Sequence, residues 1–285
     1  MSKKLFSIIF YSGVVLVCII FLPSLIMPRR ISIFGGKLLG YWSEFCVKFF
    51  LSTTIQIIGK ENIINNEKFF IACTHQSAFE TFYLQAIFKG PKFILKKELI
   101  KIPIFGWYLK KIGSIAVERN KISKENINFL DQIKISSKDN RPIVIFPQGT
   151  RTEPYERPSF KKGVVRIYNE LNINCLPVTI NSGEVWPKNG DLNKNKNITI
   201  SILKPIKPGL EDKEFLNLLQ NTMYDVLNET SRGQLVTCRL DEGAHIRPLS
   251  LIHKKTRLLT PALRSFIEKM LHSQSGKDES NAEAA

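Results

Sequence analysis

Between residues 55 and 227, short apolar runs alternate with stretches of helical periodicity, and this alternation narrows the possible folds more than any other feature of the chain. Residues 55–58, 69–74, 92–95, 114–117, 143–146, 175–180 and 198–203 are short, apolar and partly β-branched, which reads as strands. Residues 78–88, 104–111, 125–135, 162–171 and 212–227 repeat their apolar positions at helical spacing; in the last, Phe215, Leu219, Met223 and Val226 share one face. Strands separated by helices predict a single α/β domain, residues 55–231, with a largely parallel sheet flanked by helices. No internal repeat is present.

Ahead of that domain, residues 5–28 carry no charged side chain and are bracketed by Lys3, Lys4, Arg29 and Arg30. As one helix they would be about 36 Å long, enough to cross a hydrocarbon core of about 30 Å. Residues 1–30 therefore read as a membrane anchor, uncleaved, since no small-x-small site follows the apolar core. Pro23 leaves two arrangements open, a full span and a tilted, half-buried helix. Arg29, Arg30, Lys37 and Lys48 follow the anchor and favour a cytoplasmic globular domain. Residues 31–54 place Leu38, Leu39, Trp42, Phe45, Cys46, Phe49 and Phe50 at near-helical spacing, as an amphipathic, interfacial segment would. Residues 232–285 form a C-terminal extension. It carries His245, His253 and His272, a basic amphipathic run at 261–271 and a tail at 273–285 with the composition of disorder.

The formal net charge of +16 is spread along the chain. Such a surface prefers polyanions, which admits nucleic acid, anionic lipid headgroups, and phosphate-bearing or acidic carrier substrates alike. The 5 cysteines are scattered in mainly apolar surroundings without metal-ligand spacing, which points to a reducing compartment and to no metal site.

Chemistry concentrates where the apolar runs end. Residues 69–73 lead directly into Thr74, His75, Gln76, Ser77, Ala78, Phe79 and Glu80. Ser77 and Glu80 have capping-box spacing, and the same fold-back brings the Glu80 carboxylate toward the His75 imidazole. A carboxylate on one ring nitrogen fixes the tautomer and raises the basicity of the other, as a general base for a hydroxyl requires. A satisfied surface histidine beside a plain capping glutamate fits these seven residues equally well. Arg119 follows the run at 114–117, Lys96 and Lys97 follow 92–95, and Pro147, Gln148, Gly149, Thr150 and Arg151 follow 143–146. In a parallel sheet all of these fall at the carboxyl edge, where ligands bind. Two guanidinium groups, the lysines and a glycine that admits close backbone approach would make an anion clamp beside a base. Taken singly, each is also ordinary: a strand cap, a solvated edge, a turn.

In order along the chain, His75 with Glu80, then residues 113–119, then Phe146 through Arg151, then Leu176, Pro177 and Val178, resemble the four blocks of the glycerolipid acyltransferase family, above all its bacterial 1-acyl-glycerol-3-phosphate acyltransferases. The likeness covers about residues 55–205, and Lys96 through Trp107 resembles the stretch that precedes the second block. Thr74, Glu80 and Gln148 depart from the family pattern, which has Asn, Asp and Glu there.

The resemblance implies transfer of an acyl group from a thioester, acyl-CoA or acyl carrier protein, to the sn-2 hydroxyl of 1-acyl-glycerol-3-phosphate, giving phosphatidic acid for phospholipid synthesis. His75 would be the base and Glu80 its orienting carboxylate. Arg119, Arg151 and Lys96 or Lys97 would hold the phosphate, Gly149 and Thr150 would shape that pocket, and Pro177 would border the acyl path. No cofactor is implied; the partners are a membrane lipid acceptor, the acyl donor and an anionic membrane surface, at a bacterial inner membrane with the catalytic domain facing the cytoplasm. Within the family, glycerol-3-phosphate or a lyso-aminolipid is an alternative acceptor. A basic, membrane-tethered nucleic-acid-binding protein is the alternative of another class, although no nucleic-acid-binding signature is present.

Overall fold

The computed structural model describes residues 2–64, 67–117 and 129–231. All of them belong to one compact unit, Met1–Ser231. Residues 118–128, with Arg119 and the first part of the helix expected at 125–135, lie outside the described residues, as does the C-terminal extension at 232–285.

Helices α1 (Lys3–Ile20) and α2 (Arg29–Leu51) come first, followed by β1 (Thr54–Ile58), β2 (Phe69–Cys73), α3 (Phe79–Ile87), β3 (Lys92–Lys96), α4 (Lys97–Ile100), α5 (Phe105–Lys111) and β4 (Ile115–Val117). Then come α6 (Phe129–Ser136), β5 (Ile143–Ile145), α7 (Gly163–Leu171), β6 (Asn174–Ile180), β7 (Asn197–Ile202) and α8 (Asp212–Ser231). The seven strands form one sheet in the order β1-β7-β6-β2-β5-β3-β4. Strands β6, β2, β5, β3 and β4 run parallel, while β7 is antiparallel to β6 and carries β1 parallel to itself. The expected largely parallel sheet is therefore present, with its β7–β1 edge reversed.

The apolar runs are nearly continuous because the central strands are covered on both faces. Alternate residues of β2 serve two cores: Ile71 and Cys73 face one, Phe70 and Ala72 the other. In β5, Val144 joins the first core and Ile143 and Ile145 the second. The first core is roofed by α1, α2 and α3, the second by α6, α7 and α8. Pro177 occupies a buried place in β6 opposite Ala72 of β2. Its missing N–H would face β7, which has by then left regular pairing. Leu203 donates to the Pro177 carbonyl, and Ile206 then pairs with Cys175 in both directions, so that three residues on that side span two on β6. The proline thus sits at a bulge, where a strand tolerates it.

Residues 5–28 do not form the single long helix expected of them. Helix α1 has 18 residues, about 27 Å at the helical rise, and ends at Ile20. A 3₁₀ turn, Leu22–Leu25, follows with Pro23 near its start, a position that suits a residue without an N–H. Ser24 and Ser32 hydroxyls bond at 2.9 Å across the reversal, and α2 returns antiparallel along α1. Trp42 on α2 donates its indole N–H to the Phe10 carbonyl at 3.0 Å and lies flat against Gly13, where a Cβ would come within 2.3 Å of the ring. One stripe of α1, Phe6, Phe10, Val14 and Cys18 at four-residue spacing, is buried. The opposite side leaves Ile8, Val15, Leu16, Ile19 and Ile20 exposed.

Candidate active site

The carboxyl ends of β2, β5, β3 and β6 share one edge of the sheet, and the chain leaves each there with a polar segment. From β2, Thr74 locks the strand ends together: its hydroxyl accepts the Ile180 N–H at 2.8 Å and donates to the Ile180 carbonyl at 3.3 Å. His75 follows, its side chain 14% exposed, with its ring stacked on Phe146 at 4.1 Å and 19°. Phe146 is stacked in turn on Phe93 of β3, which continues the support beneath the imidazole.

Glu80, in the first turn of α3, is fully buried. Its Oε1 accepts the Gln76 N–H at 2.5 Å and the Ser77 N–H at 2.8 Å, while Phe79 N–H bonds Ser77 Oγ at 3.2 Å. One half of the capping box that the Ser77/Glu80 spacing predicts is present, the carboxylate reaching back to the Ser77 N–H; the Ser77 hydroxyl meets the Phe79 N–H in place of the Glu80 N–H, and the helix N-cap is Ala78. The same Oε1 lies 3.4 Å from His75 Nδ1, and Oε2 accepts the Ser182 hydroxyl at 2.8 Å. Glu80 therefore ties down the main chain ahead of α3 and faces the imidazole at once. A glutamate's longer arm allows this, because the carboxylate rests on the main chain and on Ser182 while one oxygen still reaches the ring.

The segment after β5 is tied to His75. The His75 N–H donates to Gln148 Oε1 at 2.7 Å, and the His75 carbonyl accepts the Thr152 N–H at 2.9 Å. Arg151 is thereby held one residue from a direct contact with the His75 main chain. Gly149 turns with φ +76 and closes onto the Phe146 carbonyl at 2.9 Å, a conformation that favours glycine; a Cβ there would also press Lys161 Cγ at 3.2 Å. Thr150 is exposed. Lys96, also exposed, ends β3, and Lys97 opens α4. Pro177 lies inside β6 rather than at its end. Arg119 is outside the described residues. The geometry thus joins His75, Glu80 and the Gln148–Arg151 turn by direct bonds and sets Lys96 and Lys97 at the same edge. A cavity of about 420 Å³ opens elsewhere, at the amino ends of β2 and β5 among Lys68, Phe69, Pro142 and Ile143, and none of the residues singled out in the sequence lines it.

His75 and the buried Glu80 face each other at the carboxyl edge of the sheet, and the segment that carries them is similar to known proteins. The family model described as Acyltransferase matches residues 54–181, a span that contains the whole of this constellation as far as β6. Over that span the chain is similar to the acyltransferase family. It is 30% identical over 152 residues to a 1-acyl-sn-glycerol-3-phosphate acyltransferase of Pseudomonas aeruginosa, covering 52% of this chain and 59% of that one. A protein of the same name from Saccharomyces cerevisiae is 32% identical over 193 residues, covering 64% and 63%. One from Borreliella burgdorferi is 29% identical over 198 residues, covering 67% and 75%. The chain thus spans about three fifths of the length of the first two relatives. Its fold matches that of the 1-acyl-sn-glycerophosphate (LPA) acyltransferase PlsC from Thermotoga maritima, with a TM-score of 0.65 at 19% identity, covering 79% of this chain and 96% of that one.

Within the α/β domain, sequence reasoning missed Ser182, Gln76, Thr152 and the stacking role of Phe146. Ser182 follows β6 as His75 follows β2, and this shared position at strand ends is the signal that could have found it. Gln76 acts as a strut, accepting the Gly183 N–H at 3.1 Å and donating to the Pro154 carbonyl at 3.2 Å. It thereby joins the loops after β2, β5 and β6.

Proposed function

We propose that this chain transfers an acyl group from an acyl thioester to the sn-2 hydroxyl of 1-acyl-glycerol-3-phosphate, forming phosphatidic acid. The observation that carries the reading is the His75–Glu80 pair at the sheet edge, with three further donors converging on the buried carboxylate. The match of residues 54–181 to the Acyltransferase family model and relatives named for this activity support it.

In the proposed mechanism, Glu80 faces Nδ1 and leaves Nε2 to remove the proton from the acceptor hydroxyl. The oxygen attacks the thioester carbonyl, a C–O bond forms, and collapse of the tetrahedral intermediate breaks the C–S bond. The proton held by His75 passes to the departing thiolate. The reaction draws on no metal or cofactor. Arg151 and one of Lys96 or Lys97, together with Arg119, hold the acceptor phosphate; Gly149 and Thr150 shape that pocket, and Pro177 borders the acyl path. The donor is acyl-CoA or acyl carrier protein.

The site works at a membrane, the bacterial inner membrane with the acyltransferase domain on its cytoplasmic side. Supporting this, the α1–α2 hairpin keeps one apolar face on the protein and turns another outward, with Ile26 at 92% exposure and Phe49 at 69%. Monomeric soluble proteins rarely leave so large a contiguous apolar face bare. A buried stripe along α1 fits a helix lying with one side in lipid.

The test is transfer of labelled acyl groups from acyl-CoA, and separately from acyl carrier protein, to 1-acyl-glycerol-3-phosphate in membranes holding wild type or His75→Ala. The expected result is His75-dependent product, with a loss of about 10²- to 10⁴-fold in the variant. Equal turnover in both would overturn the mechanism; product only with glycerol-3-phosphate or a lyso-aminolipid would overturn the acceptor.

A further inference from the structure

We infer that the reversal from α4 into α5 is a second membrane-contacting surface, which docks on an anionic phospholipid bilayer beside the α1–α2 hairpin and holds the sheet edge of His75 against it. The inference rests on the membrane reading above and adds a surface to it. The outer side of this reversal is apolar, with Leu99 39%, Ile102 43% and Trp107 52% exposed. Residues 96–111 carry five lysines against the single acid Glu98. Of these lysines, Lys96, Lys101 and Lys110 are exposed. Bare aliphatics and a half-exposed tryptophan among lysines suit the boundary of a bilayer, where the ring sits at headgroup level and the ammonium groups meet lipid phosphates.

The reversal is tightly built. Gly106 lies where a Cβ would come within 2.0 Å of the Ile100 carbonyl oxygen, and its N–H donates to the Ile102 carbonyl at 2.8 Å. Ile104 sits at φ +62, a strained conformation for a β-branched residue, and packs against the first core while Ile102 stays outside. A strained turn thus sends one isoleucine inward and leaves its near neighbour bare. The surface is also continuous with the hairpin. Tyr108, next to Trp107, donates its hydroxyl to the Cys18 carbonyl at 2.8 Å, and α5 packs on the 3₁₀ turn Leu22–Leu25, beside which Leu22, Ile26 and Met27 are exposed. A hairpin alone leaves the body free to roll about the hairpin's long axis, and a second contact away from that axis stops the roll. Because α4 begins directly after β3 ends, the contact sets Lys96 and the carboxyl edge of the sheet at headgroup height.

The experiment binds full-length wild type and Trp107→Phe to vesicles of equal parts phosphatidylglycerol and phosphatidylcholine whose chains carry bromine, which quenches tryptophan on contact. Trp186 is buried in the protein and Trp42 is packed on α1. If Trp107 meets lipid, its removal lowers the quenched fraction of the emission; an unchanged or raised fraction overturns the proposal. Lys101→Gln with Lys110→Gln is expected to weaken partitioning onto these vesicles by about 10- to 30-fold, at about fivefold per lysine, while partitioning onto phosphatidylcholine alone and the thermal midpoint hold. Unchanged partitioning, or an equal loss on both vesicles, overturns it as well. A Trp107-dependent emission change on concentrating the protein in micelles without vesicles would give the surface to a second copy of the chain and overturn the bilayer as its partner. Wild type that binds neither vesicle would defeat the membrane reading itself, whereas wild type that binds with Trp107 unquenched defeats this inference alone. Neither measurement needs turnover, so a wrong acceptor or donor leaves both decisive.

Discussion

Ser182 Oγ donates a 2.8 Å hydrogen bond to Glu80 Oε2, on the far side of the carboxylate from His75, which Oε1 approaches at 3.4 Å. Ser182 is fully buried, so no water replaces it when it is removed. Ser182→Ala is expected to lower kcat roughly tenfold, since a hydrogen bond to a charged group is worth about 1.5–3 kcal/mol and the carboxylate is left free to turn from the ring. KM for either substrate should hardly move. Steady-state kinetics beside Ser182→Thr, which keeps the hydroxyl, checks this; equal losses in both variants would mean that the site responds to shape and not to the bond.

The helix carrying Glu80 is set by the contact of α3 with α2. A Cβ on Gly40 would lie 2.8 Å from Ala86 Cβ and 2.9 Å from the Phe82 carbonyl oxygen, so the two backbones meet there without side chains between them. Gly40→Val is expected to destabilise the protein by about 1–3 kcal/mol through overpacking. At roughly 2–4 °C per kcal/mol for a domain of this size, thermal unfolding in micelles resolves the effect. An unchanged midpoint would show that the helices separate freely.

Asp139 gathers three cations: Lys92, whose ammonium bonds it directly, Arg141 at 3.3 Å, and Arg29 of α2 at 3.7 Å. Burial pushes its carboxyl up, but the Lys92 hydrogen bond and the Arg141 charge outweigh burial and hold it below the usual carboxylate range. Burial also pulls the Lys92 ammonium down against the same pairing, so the acid-side behaviour belongs to Asp139. With the folded value depressed, the stabilisation is complete above the unfolded value of about 3.9 and disappears as pH falls through the lower folded one. The difference in unfolding temperature between wild type and Asp139→Asn should be constant from neutral pH to about 5 and shrink below about 4. A difference that persists at lower pH would assign the effect to something other than this charge.

Ile26 and Phe49 are the most outward of the hairpin's apolar side chains. The double substitution Ile26→Glu with Phe49→Glu is expected to release the protein from anionic vesicles in a flotation assay while leaving its thermal midpoint within about 2 °C, since exposed positions carry little folding energy. Retention on vesicles would move the membrane contact to another surface.

The strands were visible in the sequence because burial on both faces writes itself as unbroken apolar runs, and the His75–Glu80 fold-back was visible because capping geometry is local. Ser182 was not, since it reaches Glu80 only after the fold sets β6 beside β2. Gln148 read as a lost charge; only its neighbours reveal that its amide oxygen holds the His75 N–H. The reversed β7–β1 edge left no trace, because parallel and antiparallel strands draw on the same residue types. The hairpin was hidden for a similar reason. An apolar stretch that doubles back at Pro23 has the composition of one that continues, and the stripe of Phe6, Phe10, Val14 and Cys18 acquires meaning only against the surface it meets.

That stripe bears on how the protein can be engineered. Phe6 and Phe10 close edge-on against Trp186, each with ring centroids 4.9 Å away, and Phe10 also meets Phe82 at 5.1 Å. Trimming the chain back to Thr54 would strip Trp186 and Phe82 of their cover and trade a greasy exterior for a greasy wound on the α/β body. A water-soluble form is better sought by repainting the outward-facing positions of the first two helices and keeping their inward faces intact.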